Sequence, residues 1–236
     1  MEELIRLGAE EGQTGLHLEV NPLGAIVTRL SLMGLDVLYP RTTLSGTDEE
    51  SKVRGGLHVC SPWFGPDPTG IGPQHGFARD LPWDVLDLSR DHVALGLSGV
   101  EGWRHFEQML TYGVEPNLQV FWASLRLMKK GELTKEVSPG FHPYFNGLVG
   151  SELWIPGAAE ESQELPGVPR SGLEEPLMLR NGLRVVRGGT GTKRVIRWTD
   201  GLDDVGYGCV EPVASTRDLR PGESMTISMT LQATTI

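Results

Sequence analysis

The residues in this chain best suited to chemistry are one glutamate and two histidines. Glu211 lies in Gly208-Cys209-Val210-Glu211-Pro212, His75 in Pro73-Gln74-His75-Gly76-Phe77-Ala78-Arg79, and His142 in Phe141-His142-Pro143-Tyr144-Phe145-Asn146. A carboxylate beside an imidazole can move protons at neutral pH without a metal or cofactor, because burial and neighbours tune each group's pKa towards the operating pH. Such a trio suits a reaction that only relocates protons. The Gly and Pro around the histidines predict loops or strand ends facing a cleft. A charge at Glu211, between apolar Cys209-Val210 and Pro212, is costly unless it meets a partner or a wet cleft. The plainer readings are a surface glutamate at a strand end and a core histidine among aromatics.

Two further clusters offer binding groups. In Arg54-Gly55-Gly56-Leu57-His58-Val59-Cys60-Ser61-Pro62-Trp63-Phe64-Gly65-Pro66, the glycines permit close backbone approach. Trp63 and Phe64 offer flat faces that suit the C–H side of a sugar ring or a core. Gln74, His75 and Arg79 converge within six residues, a good arrangement for an anion or a hydroxyl. Metal chemistry is not expected. Cys60 and Cys209 match no paired ligand spacing, and neither His75 nor His142 has a Cys or carboxylate neighbour at ligand spacing. Both cysteines read as small buried hydrophobes rather than a disulfide.

The elements that must position these groups are strands. With 31 Gly and 16 Pro in 236 residues, turns fall too densely for long helices. Met225, Ile227, Met229 and Leu231 alternate with Thr226, Ser228 and Thr230, the pattern of a half-buried strand. Leu16–Val20, Val93–Leu97, Leu118–Leu127 and Val195–Trp198 read the same way, and short strands at this spacing predict an all-β sandwich or barrel. Glu160–Pro176, rich in Glu, Pro, Gly and Ser, reads as a long surface loop.

One domain over 1–236 fits the length, and 39% hydrophobic residues supply a core. The net charge of −10, without a basic stripe, argues against nucleic acid. No apolar run approaches the ~20 residues of a membrane span, and the acidic opening Met-Glu-Glu-Leu-Ile-Arg-Leu does not read as a signal peptide. A cytoplasmic location is therefore expected.

Taken in order, Arg-Gly-Gly, Cys-x-Pro-Trp-Phe-Gly-Pro, Pro-Gln-His-Gly-Phe-Ala-Arg, His-Pro-Tyr-Phe-Asn and Cys-Val-Glu-Pro resemble the aldose 1-epimerase, or galactose mutarotase-like, superfamily. From Arg54 to Pro212 they look most like its glucose-6-phosphate (hexose-6-phosphate) 1-epimerase branch. The resemblance implies a β-supersandwich and metal-free, cofactor-free interconversion of α and β anomers. It implies Glu211 as base, His142 as the acid that protonates the ring oxygen, and His75 as the group that holds and polarises the sugar. Arg54 and Arg79 match the phosphate-binding arginines of the sugar-phosphate branch, and Gln74 and Trp63 complete the substrate-binding set. The expected partner is a small sugar or sugar phosphate, the expected assembly a monomer or weak homodimer.

Two departures from the family pattern stand out. A further substrate-binding aspartate has no clear equivalent, since Asp200, Asp203 and Asp204 fall late in the interval between His142 and Glu211. That interval is also compact for the sugar-phosphate branch, so a strand or loop that covers the cleft is expected to be either missing or replaced by Glu160–Pro176. Two other function classes stay open: a carbohydrate-binding protein without turnover, and a lyase or hydrolase using Asp203-Asp204 as the second carboxylate.

Overall fold

A computed structural model describes residues 3–9, 14–44, 52–132, 135–147, 160–162, 174–179, 181, 183–188, 190–198 and 206–234. Among these there is no α-helix, only two short 3₁₀ turns, Ala78–Asp80 and Pro116–Leu118. Two large sheets carry the fold, and every strand pairing within them is antiparallel. The first runs in the order Ile5–Gly8, His17–Asn21, Ile26–Leu32, Leu57–Cys60, Gly140–Asn146, Tyr207–Ala214, Thr192–Trp198, Glu160–Ser162, with Leu35–Asp36 beside Ile26–Leu32. The second runs Glu174–Met178, Arg184–Gly188, Ser224–Thr234, Val120–Lys129, Phe106–Glu115, His92–Leu97, Asp84–Leu88.

Each stretch read as a strand from its period-two pattern overlaps one, but Leu16 precedes His17–Asn21, and Leu118 and Gln119 close the 3₁₀ turn ahead of Val120–Lys129. In Ser224–Thr234 the residues Met225, Ile227, Met229 and Leu231 are buried, while Thr226, Ser228 and Thr230 are not. One apolar cluster joins the two sheets: Val59, Phe141, Phe145 and Val210 of the first pack with Leu95, Leu110, Phe121, Leu125 and Ile227 of the second. Apolar burial at about 25 cal/mol per Å² makes this shared layer the main favourable term of the fold. The buried phenol of Tyr112 donates to the carbonyl of Ala25 at 2.7 Å, which ties the second sheet to the first.

The loop expected over Glu160–Pro176 needs correction. Its two ends are strands: Glu160–Ser162 pairs with Thr192–Trp198, and Glu174–Met178 pairs with Arg184–Gly188. Both lie at a sheet edge, and the pairing of the second shifts register between Glu174 and Leu177, where Pro176 falls. Edge strands tolerate charge and proline, which deter further pairing, so a loop-like composition and an edge strand are compatible. Residues 163–173 and Asp200, Asp203 and Asp204 lie outside the described residues.

Candidate active site

The site is built on three adjacent strands in the middle of the first sheet. Leu57–Cys60 pairs with Gly140–Asn146 so that His142 stands opposite His58. Gly140–Asn146 in turn pairs with Tyr207–Ala214, with Gly140 opposite Val213 and Tyr144 opposite Cys209. That register is the same on both sides of Pro143, which has no N–H to give the ladder, and it sets His142 level with Glu211. His58, His142 and Glu211 therefore form one row across three strands. Because side chains alternate faces, Tyr144 and Cys209 share the row's face, while Phe141, Phe145 and Val210 turn into the core. The turn-rich wording had suggested loops or strand ends. His142 and Glu211 instead sit inside strands buried on both faces, and only His75 lies in a loop.

Within the row, Nε2 of His142 and Oε1 of Glu211 stand 2.9 Å apart. Glu211 is 2% exposed and His142 is 7% exposed. Buried carboxylates are tolerated when paired, and here the imidazole supplies the pairing. The His142 ring is stacked between Tyr144, at 4.6 Å and 14° between planes, and Phe64, at 5.9 Å and 29°. These contacts fix the ring plane, so the nitrogen facing Glu211 keeps its aim.

His75 reaches the same point from the loop after Phe64, with ring centroids 5.3 Å from His142 and 4.7 Å from Phe64. Its backbone is left-handed, φ 68°, and its N–H donates to the carbonyl of Gly65 at 2.7 Å. In return Gly65 N–H donates to His75 Nδ1 at 3.2 Å, which leaves the ring proton on Nε2 as a donor. Gly76 is needed here. Its φ is +72°, and a Cβ would lie 2.1 Å from the carbonyl oxygen of Ser61.

Burial first, then the nearby His142 and Arg79, depress the His75 pKa to about 3. His58, a group that motif reading passed over, is also lowered to about 3, by burial and then by His142. Its Nε2–H donates to the carbonyl of Gly55 at 2.9 Å. Two of the three clustered imidazoles are thus neutral at physiological pH. His142 is the one that faces the carboxylate. Burial also pushes the Tyr144 phenol up, so it stays a neutral wall.

The remaining expected residues divide. Arg54 and Arg79 both contribute positive potential at His75, and a third arginine, Arg41, acts with Arg79 on His58. Arg79 is 3.9 Å from Asp80 and donates to the carbonyl of Gln74 at 3.0 Å. The Gln74 side chain is exposed beside His75. Trp63 is packed against Phe77 and Trp103 at 5.9 and 5.6 Å, with its indole N–H on the carbonyl of Pro73 at 3.0 Å. It is Phe64 whose ring meets the two histidines.

Spacing along the chain gave no metal-ligand set, but the fold assembles one. His142, Cys209 and Glu211 bring an imidazole nitrogen, a thiol and a carboxylate within 4.8 Å of one another. Cys209 is buried and reduced, as is Cys60, whose thiol pKa is raised by burial. Two cavities, of about 220 and 290 Å³, lie elsewhere, against Trp103 and Lys129 and against Leu86 and Met128. Neither borders His75, His142 or Glu211, so the candidate site is marked by the convergence of titratable groups and not by cavity size.

Comparison with known proteins bears on the family and the fold. Residues 46% identical over a 46-residue stretch link the chain to a candidate glucose-6-phosphate 1-epimerase of Escherichia coli, covering 20% of this chain and 16% of that protein. A Salmonella typhimurium protein of the same designation is 58% identical over 39 residues, 16% of this chain and 13% of that one. The matched stretches thus span about a sixth or less of these relatives. At the level of fold, a Synechocystis sp. PCC 6803 protein superposes with a TM-score of 0.77 at 21% identity, covering 100% of this chain and 97% of the other. A galactose mutarotase related enzyme from Lactobacillus acidophilus gives 0.71 at 14% identity, covering 99% and 98%. The GalM/aldose epimerase homologue from C. elegans gives 0.70 at 10%, covering 100% of both. The fold is that of the galactose mutarotase-like proteins. The aldose 1-epimerase family profile matches residues 7–169, more than half of the chain and including both His75 and His142. The chain belongs to the aldose 1-epimerase family.

Proposed function

We propose that this protein interconverts the α and β anomers of an aldose, with a hexose 6-phosphate as the preferred substrate. The observation that carries the proposal is the buried His142–Glu211 pair, 2.9 Å apart on one row of a β-sheet and flanked by two neutral histidines. Glu211 takes the proton from the anomeric hydroxyl while His142 delivers one to the ring oxygen, and the hemiacetal opens to the aldehyde. Rotation about C1–C2 presents the other carbonyl face. Glu211 then returns its proton to the carbonyl oxygen and His142 recovers its own as the ring closes. One acid and one base serve both directions, and the pair ends in its starting state.

His75 donates from Nε2 to a sugar oxygen and polarises it without competing for the transferred proton, since its own pKa lies far below neutrality. The 6-phosphate falls to Arg54 and Arg79. In a chain of net charge −10, their convergence on His75 is a local exception that favours a dianion. The short matches to the two enteric proteins point the same way. NMR exchange spectroscopy on glucose and glucose 6-phosphate tests the reading. Faster anomer exchange on the phosphate is the expected result. Binding of either sugar without faster exchange would move the assignment to a carbohydrate-binding protein.

A further inference from the structure

A three-donor set for a transition metal sits where the reaction would occur, although the proposed reaction calls for no metal. We propose that His142, Cys209 and Glu211 form an inhibitory site for a thiophilic divalent cation, Zn²⁺ or its analogues Co²⁺ and Cd²⁺. As inhibition, this rests on the function proposed above; as a binding site, it stands alone.

Three observations carry it. The donor atoms lie within 4.8 Å of one another, and all three residues are buried. Zinc bonds of ~2.0–2.3 Å imply ligand–ligand separations of roughly 3.3–3.8 Å in a tetrahedron, so sub-ångström to ångström side-chain shifts would close the set. The 2.9 Å histidine–carboxylate contact would open slightly to admit the ion. The strand register supplies the rigidity: Glu211 is level with His142, and Cys209 is two residues along the same face, opposite Tyr144.

Charge also favours the assignment. A thiolate and a carboxylate neutralise a divalent ion, so the buried complex carries no net charge and avoids the large penalty for an unpaired buried ion. On binding, the Cys209 thiol and the His142 imidazolium each lose a proton to solvent, a Cys209 Sγ–metal bond forms, and His142 coordinates as the neutral imidazole; from the starting state of the proposed relay the balance is two protons released per ion bound. The fourth position takes water or a sugar hydroxyl. Sulfur and nitrogen donors select Zn²⁺, Co²⁺ and Cd²⁺ over Mg²⁺ and Ca²⁺. With both proton-transfer groups ligated, neither can serve the hemiacetal.

The test titrates Co²⁺ into the whole protein and reads the thiolate-to-cobalt charge-transfer band and the visible bands of tetrahedral coordination. Anomer exchange is followed in parallel during Zn²⁺ addition and after EDTA. The expected result is a saturable one-to-one spectrum, loss of exchange with Zn²⁺, recovery with EDTA, and no effect of Mg²⁺. Cys209→Ser should abolish the charge-transfer band and raise the Zn²⁺ inhibition constant at least ~100-fold, the upper range for loss of a mere outer-shell partner. Cys60→Ala should keep the band, and Glu211→Gln, which leaves the cysteine in place, should weaken Co²⁺ binding. Absence of the band in folded wild-type protein, or its survival in Cys209→Ser, overturns the site. A band with no anomerisation in any condition supports the metal site and overturns the proposed enzyme.

Discussion

Shortening Glu211 by one methylene is the sharpest probe of the proposed proton relay. Glu211→Asp withdraws the carboxylate by about one C–C bond, ~1.5 Å, and so stretches the 2.9 Å approach to His142 towards roughly 4.4 Å. The same withdrawal carries the carboxylate away from the anomeric hydroxyl, beyond the ~3.2 Å within which a positioned base takes a proton directly. A misplacement of about 1 Å is worth around 10²-fold, so kcat for anomer exchange should fall by ~10², or about 2.7 kcal/mol of barrier. Glu211→Gln keeps the length and shape but removes the basicity, so its loss should reach ~10²–10⁴. The fold should survive both. Deleting one buried methylene costs about 1 kcal/mol, which for a chain of this size lowers Tm by roughly 2–4 °C. The assay is NMR exchange spectroscopy on glucose 6-phosphate, with thermal melts and a sugar-binding isotherm on the same samples. A folded Glu211→Gln protein exchanging anomers within a few-fold of wild type would refute the reasoning, as would an intact rate in Glu211→Asp.

Three further outcomes follow from the same geometry. His58 and His75 are depressed to about 3 from 6.5, so the unfolded chain binds protons that the folded one refuses; stability is fully present above about pH 6.5 and falls as pH drops towards 3. The loss should be ~2 kcal/mol per histidine at pH 5, and His58→Leu should remove about half of the urea-measured slope, whereas a flat profile would contradict the burial of both rings. The double change Arg54→Ala and Arg79→Ala should raise KM for glucose 6-phosphate by ~10–100-fold, from ~1.5–3 kcal/mol per charged hydrogen bond reduced by solvent, and leave glucose nearly untouched; equal losses on both sugars would make the arginines structural. Gly76→Ala forces a Cβ to within 2.1 Å of the Ser61 carbonyl at a positive φ, so it should destabilise by ~2 kcal/mol or more and weaken substrate binding through His75, and an unchanged melt would show that this turn adapts freely.

What could be read from the chain alone were features with a local physical cause. Strands with one wet face announce themselves by alternation, which is why Ser224–Thr234 and Val120–Lys129 were legible. The three strands of the site were not, because Leu57–Cys60, Gly140–Asn146 and Tyr207–Ala214 are buried on both faces and so carry no period of two. Glu211, His142 and His75 stood out as motif residues, since polar groups in apolar or Gly/Pro-rich wording are costly without a purpose. The edge strands within Glu160–Pro176 were hidden by a composition that serves loops and sheet edges alike.

Tertiary structure decided the rest. Between neighbouring Trp63 and Phe64, both buried, nothing local says which ring meets the histidines; Trp63 packs against Phe77 and Trp103, and Phe64 stands against His75 and His142. His58 and Cys209 carry no signal at their own positions, and they join the site only because strand register places His58 opposite His142 and Cys209 one pleat from Glu211. Sequence thus determined which groups are chemically able, since ability resides in residue type. Their distances and protonation states belong to the sheet, because register and burial arise from residues far apart in the chain.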